Sequence, residues 1–218
     1  MAQMILNIRP AADSLRDAAT LSRRGVVSAC LPLMEIVTLA PPLPNVKDIC
    51  GLIFTSRHAV SAFVAGMGPV DWARVPAFVV GNATAAAARA AGFVSIFTGS
   101  GGGAGLVPVI LRHVPVRKGR ILWPAAVDKS FDMAMALRAH GYDVQTLDIY
   151  VAKPRVNIAM NEIEPLREGA VCGVIAMSSR SVHLFCQLLK EQRLDSRRNE
   201  ITLIAGSQSI ANAAGSGW

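Results

Sequence analysis

Two matching motifs place hydroxyl side chains where an apolar run gives way to a helical pattern. Thr55 and Ser56 follow the run GLIF, and Ser178 and Ser179 follow the run VIAM. The first N–H groups of a helix have no intrahelical partner, and the helix dipole favours negative charge at that end. These positions are therefore suited to hold an anion.

A second repeated motif has a glycine followed, three residues later, by a hydroxyl: GNAT (81–84) and GSQS (206–209). We predict helices that begin at Thr84 and Ser209, with the glycine allowing a ligand close to the backbone. A hydroxyl before a helix is also the ordinary N-cap, so capping alone explains any single instance. Four instances in two repeated pairs leave capping and anion binding equally open.

Two further residues are candidates with an ordinary alternative. Arg9 stands at the end of the first predicted strand, before Pro10. Its side chain is either a cation directed into a cleft or an ordinary surface arginine. Tyr150 stands at the end of another predicted strand. It is either a core residue with its hydroxyl at the rim of the core or a phenol directed into a cleft. The sequence has no recognisable carboxylate pair, Ser-His-Asp order or Cys-His pairing.

Composition excludes several classes of protein. Hydrophobic residues make up 52% of the 218 residues, which is enough for a core, and no apolar run reaches transmembrane length. The N-terminus lacks the pattern of a signal or transit peptide, so we expect a cytoplasmic protein. The four cysteines (30, 50, 172 and 186) form no CxxC pair and are predicted to be buried free thiols. The histidines are scattered, so no metal site is predicted.

The net charge of +7 implies an anionic partner. Nucleic acid and a small polyanion in a basic cleft are both compatible with it. Aromatic residues make up only 6% of the chain and no nucleic-acid-binding motif is present, which argues against the first.

Short apolar runs alternate with longer amphipathic stretches, which predicts an α/β fold with parallel sheets. The predicted strands are Met4–Ile8, Val27–Leu31, Leu52–Phe54, Phe78–Val80, Ser95–Phe97, Ile121–Trp123, Val144–Ile149, Val174–Ala176 and Thr202–Ile204. The predicted helices are Ala12–Arg24, Ala59–Ala65, Thr84–Ala91, Ala104–His113, Phe131–His140, Val182–Gln192 and Ser209–Ala214.

An internal repeat organises these elements. GLIFTSRHAVSAF (51–63) matches GVIAMSSRSVHLF (173–185) without a gap, and FVVGNATAAAA (78–88) matches LIAGSQSIANA (203–213). A third match links residues 8–25 with residues 123–141. Three correspondences in the same order predict two similar α/β lobes.

Two proline-containing segments are predicted to connect the lobes: APPLP (40–44) and Lys153-Pro154. We expect residues 1–37 and 152–218 to form a discontinuous, flavodoxin-like lobe and residues 42–147 an inserted lobe. Residues 38–41 and 148–151 would be a two-stranded linker, with a cleft between the lobes.

The motifs together resemble the uroporphyrinogen-III synthase family. They are IRP (8–10), GLIFTSRHAV (51–60), VVGNATAAAARAAG (79–92), LDIY (147–150), VIAMSSRSV (174–182) and LIAGSQS (203–209). They occur in the family's order over nearly the whole chain. Met177 and Ser209 depart from the family's commoner residues. The second repeat ends at Gly217-Trp218, without the strand and helix that follow the first, which predicts a C-terminally truncated member.

The resemblance implies cyclisation of the linear tetrapyrrole hydroxymethylbilane to uroporphyrinogen III, with inversion of the last ring, loss of water and no cofactor. The substrate's eight carboxylates suit a basic chain, and the enzyme would act mainly by holding one conformation. Tyr150 would hydrogen-bond the leaving hydroxyl, as a donor because a phenol has a pKa of about 10. The substrate-binding residues implied are Arg9, Thr55, Ser56, Gly81, Asn82, Thr84, Ser178, Ser179 and Ser209. We expect a monomer; the alternative is a non-catalytic two-lobed protein that binds a small anion.

Overall fold

The computed structural model describes residues 3–66, 72–215 and 218. The chain divides into two units, Met1–Glu35 with Lys153–Trp218, and Ile36–Ala152. The strands are β1 (Met4–Asn7), β2 (Ser28–Cys30), β3 (Met34–Thr38), β4 (Ile49–Phe54), β5 (Ala77–Val80), β6 (Ile96–Gly99), β7 (Arg120–Ala126), β8 (Asp143–Pro154), β9 (Val171–Ala176) and β10 (Thr202–Ala205). The helices are α1 (Ala11–Ser22), α2 (Arg57–Ala65), α3 (Gly81–Ala90), α4 (Val107–His113), α5 (Met133–Arg138), α6 (Met160–Arg167), α7 (Ser179–Glu191) and α8 (Gln208–Asn212).

The unit that contains both chain ends has a four-stranded sheet with the order β10-β9-β1-β2. Its strand pairs are parallel, and Leu6 of β1 lies beside Val174 of β9. Both side chains are fully buried and share a hydrophobic cluster with Val182 and Phe185 of α7. Burial of these aliphatic and aromatic side chains stabilises the sheet against its helices.

The other unit has a six-stranded sheet with the order β3-β8-β7-β4-β5-β6. The pairs from β8 to β6 are parallel. Successive residues of β4 face opposite sides, since Leu52 and Phe54 belong to one hydrophobic cluster and Ile53 to another. Helices α2 and α3 cover the first face, and α4 and α5 cover the second.

The predicted α/β class with parallel sheets is confirmed. All nine predicted strands and all seven predicted helices occur, with ends that differ by a few residues. Strand β3 and helix α6 were not predicted, and β3 adds an antiparallel edge to the six-stranded sheet. The Leu39 N–H donates to the Ile149 carbonyl at 2.8 Å and the Arg155 N–H to the Leu33 carbonyl at 3.0 Å. Strands β3 and β8 therefore run antiparallel.

The predicted strand Val144–Ile149 is too short, because β8 continues through Lys153 to Pro154. A proline is tolerated at the end of a strand, where no ladder N–H is needed. Helix α6 was missed because Pro165 lies inside it. Its buried Ile163 and Leu166 stabilise the helix despite the hydrogen bond that the proline removes.

Candidate active site

The first repeated motif forms the same helix start in both units. Ser56 caps α2, with its Oγ accepting the Ala59 N–H at 3.0 Å, and Ser178 caps α7, accepting the Ser181 N–H at 3.1 Å. The two serines have nearly equal backbone angles, φ −152° with ψ 158° and φ −152° with ψ 144°. Each cap follows the carboxyl end of a parallel strand, which is the edge where α/β sheets bind ligands.

The second repeated motif does not form one common structure. Helix α3 begins at Gly81, not at the predicted Thr84, and has no side-chain cap. Gly81 has a φ of +72°, a value that favours glycine and lets the strand turn directly into the helix. Helix α8 begins at Gln208, not at the predicted Ser209, and its cap is Ser207. A positive-φ glycine replaces the cap in one copy, and a serine two residues earlier than predicted supplies it in the other.

Tyr150 is paired with the Ser56 cap. The two hydroxyl oxygens lie 2.9 Å apart, although 94 residues separate them in sequence. Tyr150 lies within β8 and Ser56 follows β4, with β7 between these strands in the sheet. The tyrosine is 8% exposed, and its ring centroid lies 6.0 Å from that of His58. A buried phenol with a fixed hydrogen-bond partner is held in one orientation.

A cavity of about 260 Å³ lies at this edge of the six-stranded sheet, and we call it the Tyr150 cavity. Its lining includes Thr55, Ser56, Tyr150, Trp123 and Lys129. Four residues of the lining carry hydroxyls, because Ser130 also belongs to it, and the volume is close to the lower limit of small-molecule sites.

A glycine-rich loop between β6 and α4 forms part of the same lining, through Gly102 and Gly103. Gly102 has a φ of +76°, and a Cβ on Gly103 would lie 2.8 Å from the Phe131 ring. Neither position accepts a side chain without a shift of the loop. The glycines thus bring backbone close to the cavity.

Trp123 is the functional candidate that the sequence analysis missed. It is 2% exposed, and its Nε1–H has no hydrogen-bond partner in the described part of the chain. Leaving a buried donor unpaired costs about 1–3 kcal/mol. The Lys129 ammonium lies 6.0 Å from the centroid of the indole ring. In the sequence Trp123 stands at the end of an apolar predicted strand, and that pattern indicates a core position, not a binding site.

The remaining candidates are placed as follows. In α3, Gly81 and Asn82 do not belong to the described lining of the Tyr150 cavity, and Thr84 is buried at 4% exposure. In the other unit, Ser178 and Ser209 are exposed and Ser179 is half-buried.

Arg9 is paired with two carboxylates of its own unit. Its Nη1 lies 2.7 Å from Asp17 Oδ2 and its Nη2 lies 3.0 Å from Asp13 Oδ2. Asn7 also donates to Asp17, at 2.9 Å. The guanidinium therefore organises the carboxyl end of β1, with its charge balanced locally.

The cysteines are free and half-buried, less enclosed than the buried thiols predicted. Burial nevertheless raises the pKa of Cys30, Cys50 and Cys186 above that of a free thiol. The nucleophilic thiolate is correspondingly disfavoured near neutral pH. Within residues 3–66, 72–215 and 218, no group of three or more His, Cys, Asp or Glu side chains could hold a metal ion. No helix in these ranges is long and apolar enough to cross a membrane.

The family model described as uroporphyrinogen-III synthase HemD matches residues 16–218. The chain belongs to the uroporphyrinogen-III synthase family. The predicted resemblance is confirmed, and with it an enzyme of tetrapyrrole biosynthesis of the cyclising lyase type. The alternative of a non-catalytic anion-binding protein is not favoured.

Solved structures of family members have the same fold. The enzyme from Helicobacter pylori superposes with a TM-score of 0.59 at 16% identity, over 95% of each chain. A mutant enzyme from the extreme thermophile Thermus thermophilus superposes with a TM-score of 0.53 at 18% identity, over 97% of this chain and 88% of the other. No curated protein sequence matches the chain.

Proposed function

We propose that this uroporphyrinogen-III synthase family member converts hydroxymethylbilane into uroporphyrinogen III, with Tyr150 as its catalytic residue. The observation that carries the proposal is the 2.9 Å contact between the hydroxyls of Tyr150 and Ser56, both in the lining of the Tyr150 cavity. The contact holds the phenol at the edge of the sheet where α/β proteins bind ligands.

The hydrogen bonds allow a consistent direction of donation. Ser56 Oγ accepts the Ala59 N–H and has its own proton left to donate to the Tyr150 oxygen. In the reaction we assign the Tyr150 hydroxyl as the donor to the hydroxyl of the substrate. As the bond between carbon and oxygen breaks, the phenol gives its proton to the departing oxygen and water leaves. The proton that the substrate loses at ring closure restores the phenol.

The remaining catalytic task is to hold a flexible substrate in the conformation that inverts the last ring. Thr55 and the first N–H groups of α2 supply donors for carboxylates of the substrate, whereas Ser178, Ser179 and Ser209 stay predictions from the family resemblance. Gly81, Asn82, Thr84 and Arg9 stay predictions from the family resemblance. So do the cytoplasmic location, the monomeric state, the absence of nucleic-acid binding and the lobe boundaries at 37/42 and 147/152.

Product analysis tests the proposal. Hydroxymethylbilane also cyclises without a catalyst, but to the uninverted isomer. The protein is mixed with hydroxymethylbilane, and the products are oxidised and resolved as isomers I and III. We expect isomer III to dominate. Isomer I alone, formed at the spontaneous rate in the presence of folded protein, would refute the enzymatic function and leave anion binding as the alternative.

A further inference from the structure

The indole N–H of Trp123 is a hydrogen-bond donor without an acceptor. The side chain is 2% exposed and belongs to the lining of the Tyr150 cavity. No acceptor for Nε1 lies within the described part of the chain. Because an indole N–H only donates, the group that completes this site must bring an acceptor such as an oxygen atom.

Lys129 supplies a second donor beside the same ring. Its Nζ lies 6.0 Å from the Trp123 ring centroid, in the range of a cation–π contact. The ammonium donates to the Val127 carbonyl at 3.2 Å and to Asp148 Oδ1 at 2.6 Å. An ammonium has three protons, so one remains for a ligand.

We propose that Trp123 and Lys129 together bind one carboxylate arm of the substrate. This inference rests on the proposed function for the chemical class of the ligand. A carboxylate has two oxygens, and it can accept from the indole N–H and from the remaining ammonium proton at once. The Asp148 carboxylate holds the ammonium in place, with 47% of its own side chain exposed. Lys129 and Trp123 both belong to the cavity lining, so one carboxylate can reach both donors.

Trp123 and Tyr150 occupy different positions along the sheet. In the register of the sheet Trp123 is opposite Thr146, whereas Tyr150 is opposite Ala126. Three residues along β7 separate these two backbone positions by about 10 Å. We assign substrate binding and orientation to Trp123 and Lys129, and the proton transfer stays with Tyr150.

The direct test observes the Trp123 indole proton by nuclear magnetic resonance. The chain has three tryptophans, and ¹⁵N labelling gives one indole signal for each. The Trp123 signal is the one that disappears in the Trp123→Phe variant. If that variant does not fold, the Trp72→Phe and Trp218→Phe variants identify the other two signals and leave the third for Trp123. The probe is a monopyrrole with one acetate and one propionate arm, and its dimethyl ester is the control.

We expect the free acid to move the Trp123 proton downfield and to leave the Trp72 and Trp218 protons in place. The ester is expected to cause a clearly smaller shift, because it lacks the charged acceptor. An unmoved Trp123 signal at saturating acid overturns the proposal. An equal shift with the ester overturns the carboxylate assignment.

Kinetics with hydroxymethylbilane provide a second test. Trp123→Phe and Lys129→Met are each expected to raise KM about tenfold and to change kcat less than about twofold. Trp218→Phe, in the other unit, is the control and should leave KM unchanged. An unchanged KM in both cavity variants would overturn the proposal. If the wild-type protein forms no isomer III, the proposed function fails, while the resonance experiment still decides whether the carboxylate site exists.

Discussion

At the scale of single residues, the central feature is a serine with two roles. Ser56 caps α2 and also contacts the Tyr150 hydroxyl, whereas its repeat counterpart Ser178 caps α7 and contacts Ser181. Both serines of the internal repeat therefore cap a helix, but only Ser56 also positions the Tyr150 hydroxyl. The two serines have nearly the same backbone geometry, but only Ser56 has a buried phenol as a hydrogen-bond partner.

Replacement of these serines should separate the two roles. Ser178→Ala removes a cap and the contact with Ser181, whose hydroxyl can turn to a carbonyl of the preceding helical turn, so we expect the free energy of unfolding to fall by about 1 kcal/mol. Ser56→Ala also leaves the buried Tyr150 hydroxyl without its serine partner, so we expect about 2 kcal/mol. Urea unfolding of both variants measures the difference. An equal loss in the two variants would show that the hydroxyl contact contributes nothing to stability.

The sequence was informative about these residues only where local chemistry decides the outcome. Ser56 and Ser178 could be predicted because a cap depends on a few neighbouring residues and the repeat presents it twice. Trp123 could not, because an unpartnered indole N–H is a property of surroundings that the chain assembles from distant segments. The contact between Ser56 and Tyr150 likewise depends on the order β8-β7-β4 in the sheet.

At the scale of elements, the starts of α3 and α8 show how a shared sequence pattern can hide different structures. Gly81 with its positive φ is the first residue of α3, whereas Gly206 precedes the Ser207 cap of α8. The pairing of Gly81 with Gly206 was therefore correct as an alignment and wrong as a structural equivalence. A backbone angle that only glycine adopts easily is not visible in the residue type alone.

Alanine at Gly81 should be costly for this reason alone. A Cβ there meets nothing within 4 Å, so the φ of +72° is the only penalty. We expect Gly81→Ala to lower the free energy of unfolding by about 1 kcal/mol. Gly66→Ala is the matched control in the same unit, because Gly66 has a φ of −94° and should be neutral or slightly stabilising. Equal stabilities for the two variants in thermal unfolding would contradict the assigned backbone conformation.

Helix α6, which the sequence did not predict, is joined to the end of β8 by a two-pronged ion pair. Arg155 Nη1 lies 2.9 Å from Glu162 Oε1, and Nη2 donates to Oε2. The hydrogen bond from Arg155 is the main reason that the pKa of Glu162 lies below its ordinary value, followed by that from the Ala159 N–H. A carboxyl with a lowered folded-state pKa stabilises the protein above its unfolded-state pKa, and the contribution disappears as the pH falls through the folded-state pKa.

Glu162→Gln should therefore have a pH-dependent effect. Near neutral pH we expect a loss of about 1 kcal/mol, since the two side chains are partly exposed. The difference from the wild type should narrow as the pH falls below about 4.3, the ordinary pKa of a glutamate. Denaturant unfolding across this range measures it, with the exposed Glu164→Gln on the same helix as the control. A difference that does not change with pH would contradict the assigned ion pair.

At the scale of the whole molecule, the α/β class followed from the sequence because alternating apolar and amphipathic stretches determine it. The parts that were missed have weaker local signals. Strand β3 is an edge strand of mixed polarity, and α6 contains a proline. Tertiary contacts decide both: β3 pairs with β8, and α6 buries Ile163 and Leu166.

The net charge of +7 gives a further prediction at this scale. A basic protein attracts a substrate that carries many carboxylates. Added salt screens this attraction and shortens the distance over which it acts. We expect KM for hydroxymethylbilane to rise severalfold between about 0.05 and about 0.5 M sodium chloride. The kcat should change little, because salt does not screen a proton transfer inside a cavity. A KM independent of salt would indicate that charge has no part in substrate capture.

The most direct test of the central claim compares the only two tyrosines in the chain. Tyr150 lines the cavity, whereas Tyr142 is buried in the same unit and donates to the Val114 carbonyl at 2.6 Å. We predict that Tyr150→Phe lowers the rate of isomer III formation about tenfold, the worth of one hydrogen bond in the transition state. Tyr142→Phe should retain the wild-type rate. A Tyr150→Phe variant that forms isomer III as fast as the wild type would contradict the account.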